Sequence, residues 1–417
     1  MSRRSMPVLE SFTRTWLDLE AAHTTALSAA TALLRGCDQV LAVLTRTATC
    51  SSARDELMRS AGVLCGAPRE LARTCPPRLG KLCVRLPAYG TLWAYTLSAV
   101  VPALYTDEVV VHAPEGFEES TALLHRVVSR LLPPALAGRL RLTDGRAETF
   151  RRECANANAV FWSGDPDAGR QLMAELDTRT LFLLRGTGPN PLVIGPRTDP
   201  AAACRTALRT RLHNSGQDGL CPDVIFVHRL RLDAVVDRLR AELSVLTVGA
   251  RSWPDTVLAP LTTADGVERA AGFVEEYADH LVIGGAADRQ RRTVEAALLV
   301  LPEDAGFHPP ELLAPLFCVV PYHDPQSLRE WARDPVELAR GMYVSVLGEP
   351  RLTGETLGTA VLVRNSTALD LDDGNQPMGG YGVHASGVRR DGRLIGRPLL
   401  LSAEAALRRS VITGPLR

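Results

Sequence analysis

The chain has 417 residues, 46% of them hydrophobic and 23% charged; the length suits about two or three domains and the composition excludes long disorder. Forty-seven basic residues balance forty-seven acidic ones, which removes the positive field of a general nucleic-acid binder. All the basic residues but Lys81 are arginines scattered along the chain, the mark of a GC-rich genome, and a Schiff-base lysine has only that one candidate.

Residues 1–75 read as helical: apolar positions recur at helical spacing over 12–41, and 55–66 continues the pattern. Pro76 and Pro77 cannot sit inside a helix and end it. Strands and helices then alternate: strand 82–86, helix 92–104, strand 108–112, helix 120–132, strands 139–142 and 159–162, helix 169–176, strand 180–184. A second alternation follows, with helix 201–211, strand 224–227, helix 232–243 and further elements at 296–301, 317–321, 327–333 and 342–346. This order predicts an α/β fold with parallel sheets built of crossover units. After residue 370 the turns DDGN, GGYG and RRDG suit an irregular tail lying over another surface, or an oligomer arm.

Nine cysteines are dispersed, with no CxxC pair and no histidine at metal-ligand spacing, so no metal site is expected and the thiols read as reduced. The N-terminal segment lacks the apolar stretch of a secretory signal, and no run approaches the roughly eighteen apolar residues of a membrane span. A cytoplasmic protein without membrane or nucleic-acid partners is expected.

The segment 214–228 (NSGQDGLCPDVIFVH) is the most informative. It resembles the aldehyde dehydrogenase superfamily, which carries N-x-G-Q-x-C before a catalytic-domain strand: Asn214, Gly216, Gln217, Pro222, Asp223 and Val227 match without a gap. In the same order, 109–115 (VVVHAPE) resembles the family's V-V-L-K-P-S-E and 161–169 (FWSGDPDAG) its pyrophosphate-facing F-T-G-S-x-x-x-G turn. Residues 188–191 (GPNP), 311–315 (ELLAP) and 375–382 (NQPMGGYG) resemble G-K-N-P, E-x-F-G-P and P-F-G-G-Y-G. The resemblance covers about 85–385 and implies a Rossmann-type nucleotide-binding domain over 1–186, an α/β catalytic domain over 187–365 and a C-terminal oligomerisation arm over 366–417. A homodimer or dimer of dimers is the assembly it implies.

The departures bear on function. By the resemblance, the nucleophilic thiol falls at Gly219, the deacylating glutamate near Arg185 and the oxyanion-holding asparagine at Gly90. Glycine has no nucleophile, and arginine stays protonated and cannot serve as a base. The thiohemiacetal route is therefore expected to be lost. Cys221, two residues on, is the one thiol that could replace the missing nucleophile, although packing at the start of a strand explains it as well. His213 stands beside the loop as a possible base.

Nucleotide binding is evenly balanced. The resemblance places His112 and Glu115 at the adenosine ribose, Ser163, Gly164, Asp165 and Gly169 in the pyrophosphate turn, and Glu311 at the nicotinamide ribose. Glu115 would favour NAD over NADP, whereas Asp165 would place a carboxylate at the helix N-terminus that receives phosphate. Three functions stay open. One is an enzyme of small-molecule, specialised bacterial metabolism, repurposed for a non-classical reaction in the old cleft. Another is an NAD(P)-dependent oxidoreductase of an aldehyde or acyl thioester, using Cys221 or carrying an engineered glycine at 219. The third is a non-catalytic subunit or scaffold.

Overall fold

Asp18 opens the first helix by accepting the Ala21 N–H at 2.9 Å. The helix, α1 (Leu19–Arg35), buries a face of small residues, Ala22, Ala26, Ala29 and Ala30 with Leu33, in one core with Leu57, Leu64 and Leu71 of α3 (Cys50–Thr74). The intervening α2 (Cys37–Leu44) is bent from α1 by 71°. In this computed structural model the described residues are 17–303, 306–348, 352, 356–371 and 373–412. The start of the helical pattern predicted at 12–41 lies partly outside them. Among the described residues no single helix is long and apolar enough to cross a membrane, and only the bent α1–α2 pair passes by length and composition together.

Five strands follow, β1 (Leu79–Arg85), β2 (Thr106–His112), β3 (Leu140–Leu142), β4 (Ala159–Ser163) and β5 (Leu181–Arg185), all parallel in the order β5-β4-β1-β2-β3. Val109–Val111 of β2 are fully buried, the pattern of a parallel strand covered on both faces. The predicted helix 92–104 is broken into an α segment, Thr91–Tyr95, a π turn, Thr96–Val100, and a 3-10 turn at Pro102–Leu104, because Pro102 has no N–H to continue the ladder. Helix Ala147–Ala155 was not predicted: it buries only Phe150 and Cys154, too few positions to show a period.

A second, eight-stranded sheet is built from β6 (Leu192–Ile194), β7 (Ile225–His228) and β8 (Leu281–Ile283), then, past the small hairpin β9 (Ala287–Asp288) and β10 (Thr293–Val294), from β11 (Ala297–Val300), β12 (Leu316–Tyr322), β13 (Tyr343–Leu347), β14 (Thr356–Leu357) and β15 (Ala360–Arg364). Its order is β14-β15-β13-β6-β7-β12-β11-β8, so Val109–His112 and Val224–Val227 belong to different sheets. The stretch after 370, expected as an irregular tail or an oligomer arm, is irregular over 373–385 and then forms the hairpin β16 (Ser386–Arg390) and β17 (Arg393–Gly396). Its first strand pairs antiparallel with β5 and completes the first sheet at seven strands. Composition misled here because Gly387 and Gly396 are at close approaches: a Cβ on Gly396 would overlap the Tyr381 carbonyl.

Candidate functional site

Helix Pro200–Arg211 starts on an Asp199 cap and ends at a buried arginine. Arg211 donates to Asp223 Oδ1 at 3.0 Å, to the Pro222 carbonyl at 3.3 Å and to the Ala314 carbonyl, which ties the helix end to both the strand entry and the 311–315 segment. Three consecutive left-handed residues then turn the chain sharply: Asn214 (φ 50°), Ser215 (φ 58°) and Gly216 (φ 80°). Only glycine fits at 216, where a Cβ would overlap the Ala314 carbonyl.

The matched polar residues of this loop are used up as scaffold. Asn214 donates its N–H to Ser52 Oγ at 2.8 Å, accepts the Thr49 N–H on Oδ1 at 3.1 Å, and donates Nδ2 to the Gln217 carbonyl at 3.2 Å. Gln217 donates Nε2 to the Asn214 carbonyl at 3.3 Å and accepts the Thr262 N–H at 2.9 Å. Both side chains hold the loop between the start of α3 and segment 259–262, and their place among the candidate catalytic residues is corrected to a positioning one. Thr49 and Ser52 escaped the sequence reading because their partner lies more than a hundred positions away.

Gly219 emerges at the exposed side of this scaffold. A Cβ built on it would lie 3.7 Å from Glu311 Oε1, and one on Gly90 would lie 4.0 Å from Asp218 Oδ2. Asn190 Nδ2 holds the Gly219 carbonyl at 2.8 Å, and His213 Nε2 lies 3.9 Å from Asp218 Oδ2. The structure thus brings His213 and Gly219 of this loop together with Gly90 and Glu311 from two other segments, and adds Asp218. Behind them Glu56 of α3, 7% exposed, accepts the Trp93 N–H at 3.0 Å. Burial raises the Glu56 carboxyl to about 7 and that of Glu311 to about 8. Asp223 and Asp218 add to the rise at Glu311, and Arg269 opposes it. Asp218 occupies the unspecified position of the matched motif, so the motif carried no signal for it. Glu56 could have been found as an acidic residue on the buried face of α3, beside Ala53 and Leu57.

Two candidates fall elsewhere. Cys221 is 1% exposed with its thiol 3.7 Å from the His213 carbonyl, and burial pushes the thiol far up, which corrects its candidacy as a displaced nucleophile. The Arg185 guanidinium lies over the Phe161 ring at 5.5 Å and reaches the Met378 sulfur at 3.9 Å.

Apart from Glu311, the residues aligned with dinucleotide contacts gather at the carboxyl ends of β2 and β4. His112 is 7% exposed, its Nδ1 is 2.8 Å from Thr143 Oγ1 and its ring stacks on Phe150 at 4.6 Å. Burial, with Arg85 nearby, lowers it to about 4, so the imidazole is neutral and faces the core; this corrects its expected contact with a ribose. Glu115 is exposed in the following loop. Asp165 Oδ2 accepts the Ala168 N–H at 2.7 Å and closes the N-terminus of helix Pro166–Glu175. The Ser163 carbonyl is taken by Arg85. Gly169 serves close helix–sheet packing, since a Cβ there would come within 2.8 Å of Trp162 and Leu184. This set does not fit a dinucleotide: a carboxylate stands where pyrophosphate needs free N–H groups, and the imidazole is turned away.

A profile of the aldehyde dehydrogenase family matches residues 92–394. The chain is 22% identical over 309 residues to the 4,4'-diapolycopene-4,4'-dial dehydrogenase of Cytobacillus firmus, covering 72% of this chain and 64% of that protein. It is 25% identical over 244 residues to the non-phosphorylating aspartate-semialdehyde dehydrogenase of Halomonas elongata, covering 57% and 49%. The chain therefore spans about half to two thirds of the length of these relatives. Among solved structures, glyceraldehyde-3-phosphate dehydrogenase from Methanocaldococcus jannaschii complexed with NADP superimposes with TM-score 0.77 at 17% identity, covering 94% of this chain and 88% of that one. An NADP-dependent enzyme of E. coli gives TM-score 0.77 at 18% identity, with 94% and 85% covered. Likeness at this level of identity speaks to the fold.

Proposed function

The chain belongs to the aldehyde dehydrogenase family, and from that premise we propose that it is an enzyme repurposed for proton-transfer chemistry on a small carbonyl compound, in the cleft that its relatives use for a thiol adduct. The observation that carries this reading is the juxtaposition at the loop: two glycines, Gly219 and Gly90, stand where the family resemblance puts nucleophile and oxyanion donor, and carboxyl groups face both. Glycines open room at the reacting centre, and carboxyls supply protons to it. Glu311, raised to about 8, holds its proton at neutral pH and serves as the acid. Asp218 is the opposed proton acceptor, oriented by the Leu220 N–H at 2.8 Å, with His213 Nε2 3.9 Å away. Asn190 fixes the backbone between them through the Gly219 carbonyl. No step is routed through a dinucleotide, since the residues of the nucleotide turn do not fit one.

Hydrogen exchange tests this reading across many compounds at once. Incubation of the chain in D2O with a panel of small carbonyl and carboxylic compounds, read by mass spectrometry, should show catalysed deuterium incorporation into at least one. Asp218→Asn and Glu311→Gln should each slow it by about 10²–10⁴-fold, the usual contribution of a positioned acid or base. Absence of exchange across the panel would count against the reading. NAD-linked aldehyde oxidation should be undetectable in the wild type, and at most weak in Gly219→Cys because that change restores neither base nor oxyanion donor. Full dehydrogenase activity in Gly219→Cys would make the glycine a knock-out of an ordinary enzyme.

The reading includes a homodimer. The hairpin β16–β17 leaves β17 as an edge of the first sheet, with Ile395 47% exposed, and such an edge offers unpaired backbone groups to a second copy. Sedimentation at micromolar concentration should give a dimer or tetramer mass, and a stable monomer would remove this part of the proposal.

A further inference from the structure

We propose that Arg85 is a built-in occupant of the dinucleotide crevice, and that its side chain keeps NAD(H) and NADP(H) out of this chain. The order of the first sheet reverses between β1 and β4, and open α/β sheets bind ligands at the carboxyl ends of the strands beside such a reversal. Arg85 is the last residue of β1 and is in register with Trp162, next to the end of β4. Its side chain crosses from one strand to the other. Nη1 donates to the Ser163 carbonyl, and the guanidinium carbon lies 4.7 Å from the centroid of the Trp162 ring.

Gly164 comes next, with φ 129°, and the position its Cβ would take is already filled by Arg85 Nη1. A bare glycine at such a turn lets a phosphate approach the backbone closely; here a guanidinium has made that approach. It is also held by charge, because Asp165 and Glu115 both act on it favourably. An incoming pyrophosphate would have to remove Arg85 from its ring and its carbonyl, and would then meet the Asp165 carboxylate that closes the helix. Arginine suits this part: a flat, permanently charged fork stacks on an aromatic face and hydrogen-bonds at its edge at once. Motif matching passes over Arg85, since the residues it blocks are the ones that carry the family pattern.

Exclusion of the dinucleotide by Arg85 is independent of the chemistry at Gly219, and binding reads it instead of turnover. Calorimetric titration of NADH and of NADPH into the full chain should give a dissociation constant of about 1 mM or weaker for the wild type. Arg85→Met, which keeps the stem and removes the guanidinium, should bind at least about tenfold tighter, and Arg85→Met with Asp165→Ser tighter still. Arg85→Gln serves as the second variant, keeping a polar tip without the charge or the flat fork. Micromolar binding by the wild type would overturn the proposal. So would the lack of any gain in both Arg85 variants and in the double variant, if at least one of them melts cooperatively like the wild type.

Discussion

Glu311→Gln should melt higher than the wild-type protein at pH 8, and the difference should disappear near pH 5. Burial, reinforced by Asp223 and Asp218, raises this carboxyl to about 8 from its ordinary 4.5. Between those values the folded chain keeps a proton that the unfolded chain has released. The stabilising effect is therefore complete below pH 4.5 and is lost as pH rises through 8. Glu56, raised to about 7, and Asp223, raised to about 6, both chiefly by burial, add slopes of the same sign in narrower windows. At about 1.4 kcal/mol per pKa unit, Glu311 is expected to account for on the order of 2–5 kcal/mol of stability between pH 5 and 8. Glutamine does not ionise and removes that slope. Thermal melts of both proteins at half-unit pH steps read the effect; parallel curves would show that Glu311 is already ionised in the folded chain. A variant that gains stability while losing deuterium exchange is the trade-off expected of a group retained for activity.

Arg211→Leu should lower stability by about 3–5 kcal/mol, the cost of stranding one member of a buried ion pair. The side chains of Arg211 and Asp223 are 1% and 4% exposed and meet at 3.0 Å. The pairing does not cancel the cost of burial: Asp223 is still raised to about 6, burial outweighing the pull of Arg211. Without the arginine, Asp223 must take up a proton, and the carbonyls of Pro222 and Ala314 lose their donor. Adding Asp223→Leu should recover a large part of the loss, since an apolar pair of similar volume carries no desolvation cost. Urea denaturation of the three variants measures both effects. Because this pair braces the turn that carries Gly219, residues 214–221 of Arg211→Leu should also lose amide-exchange protection before global unfolding; an unchanged pattern there would show that the loop is braced by Asn214 and Gln217 alone.

Much of the fold was legible in the chain. The alternation of short apolar runs with helical spacing located most elements of the two sheets' crossover units to within a few residues, because buried parallel strands such as Val109–Val111 are apolar throughout. Elements with few buried positions, such as Ala147–Ala155, left no period to read. The C-terminal hairpin was hidden by glycines such as Gly387, packed against the Leu394 side chain, and Gly396, set against the Tyr381 carbonyl, which read in sequence as flexibility. At the site, the family resemblance singled out Gly219, Gly90 and Glu311, and the structure gathers them at one place. It could not single out Asp218, which fills an unspecified motif position, or Arg85, an unremarkable arginine among dozens.

What the sequence determined by itself was therefore the family, the α/β architecture and the absence of side chains at 219 and 90. These are properties of local pattern and of residue identity in a matched segment, and they survive without knowledge of any contact. Tertiary structure alone decided the states and partners of the remaining groups. Whether a carboxyl keeps its proton depends on how deeply it is buried and which charges face it, so Glu311 and Glu56 acquired their character only on folding. Whether a motif residue meets a ligand depends on what already occupies its neighbourhood: His112 packs inward on Phe150, Asn214 and Gln217 are spent on the loop, and Arg85 lies across the crevice between β1 and β4. Those contacts join residues tens to hundreds of positions apart, a distance over which no local sequence signal extends.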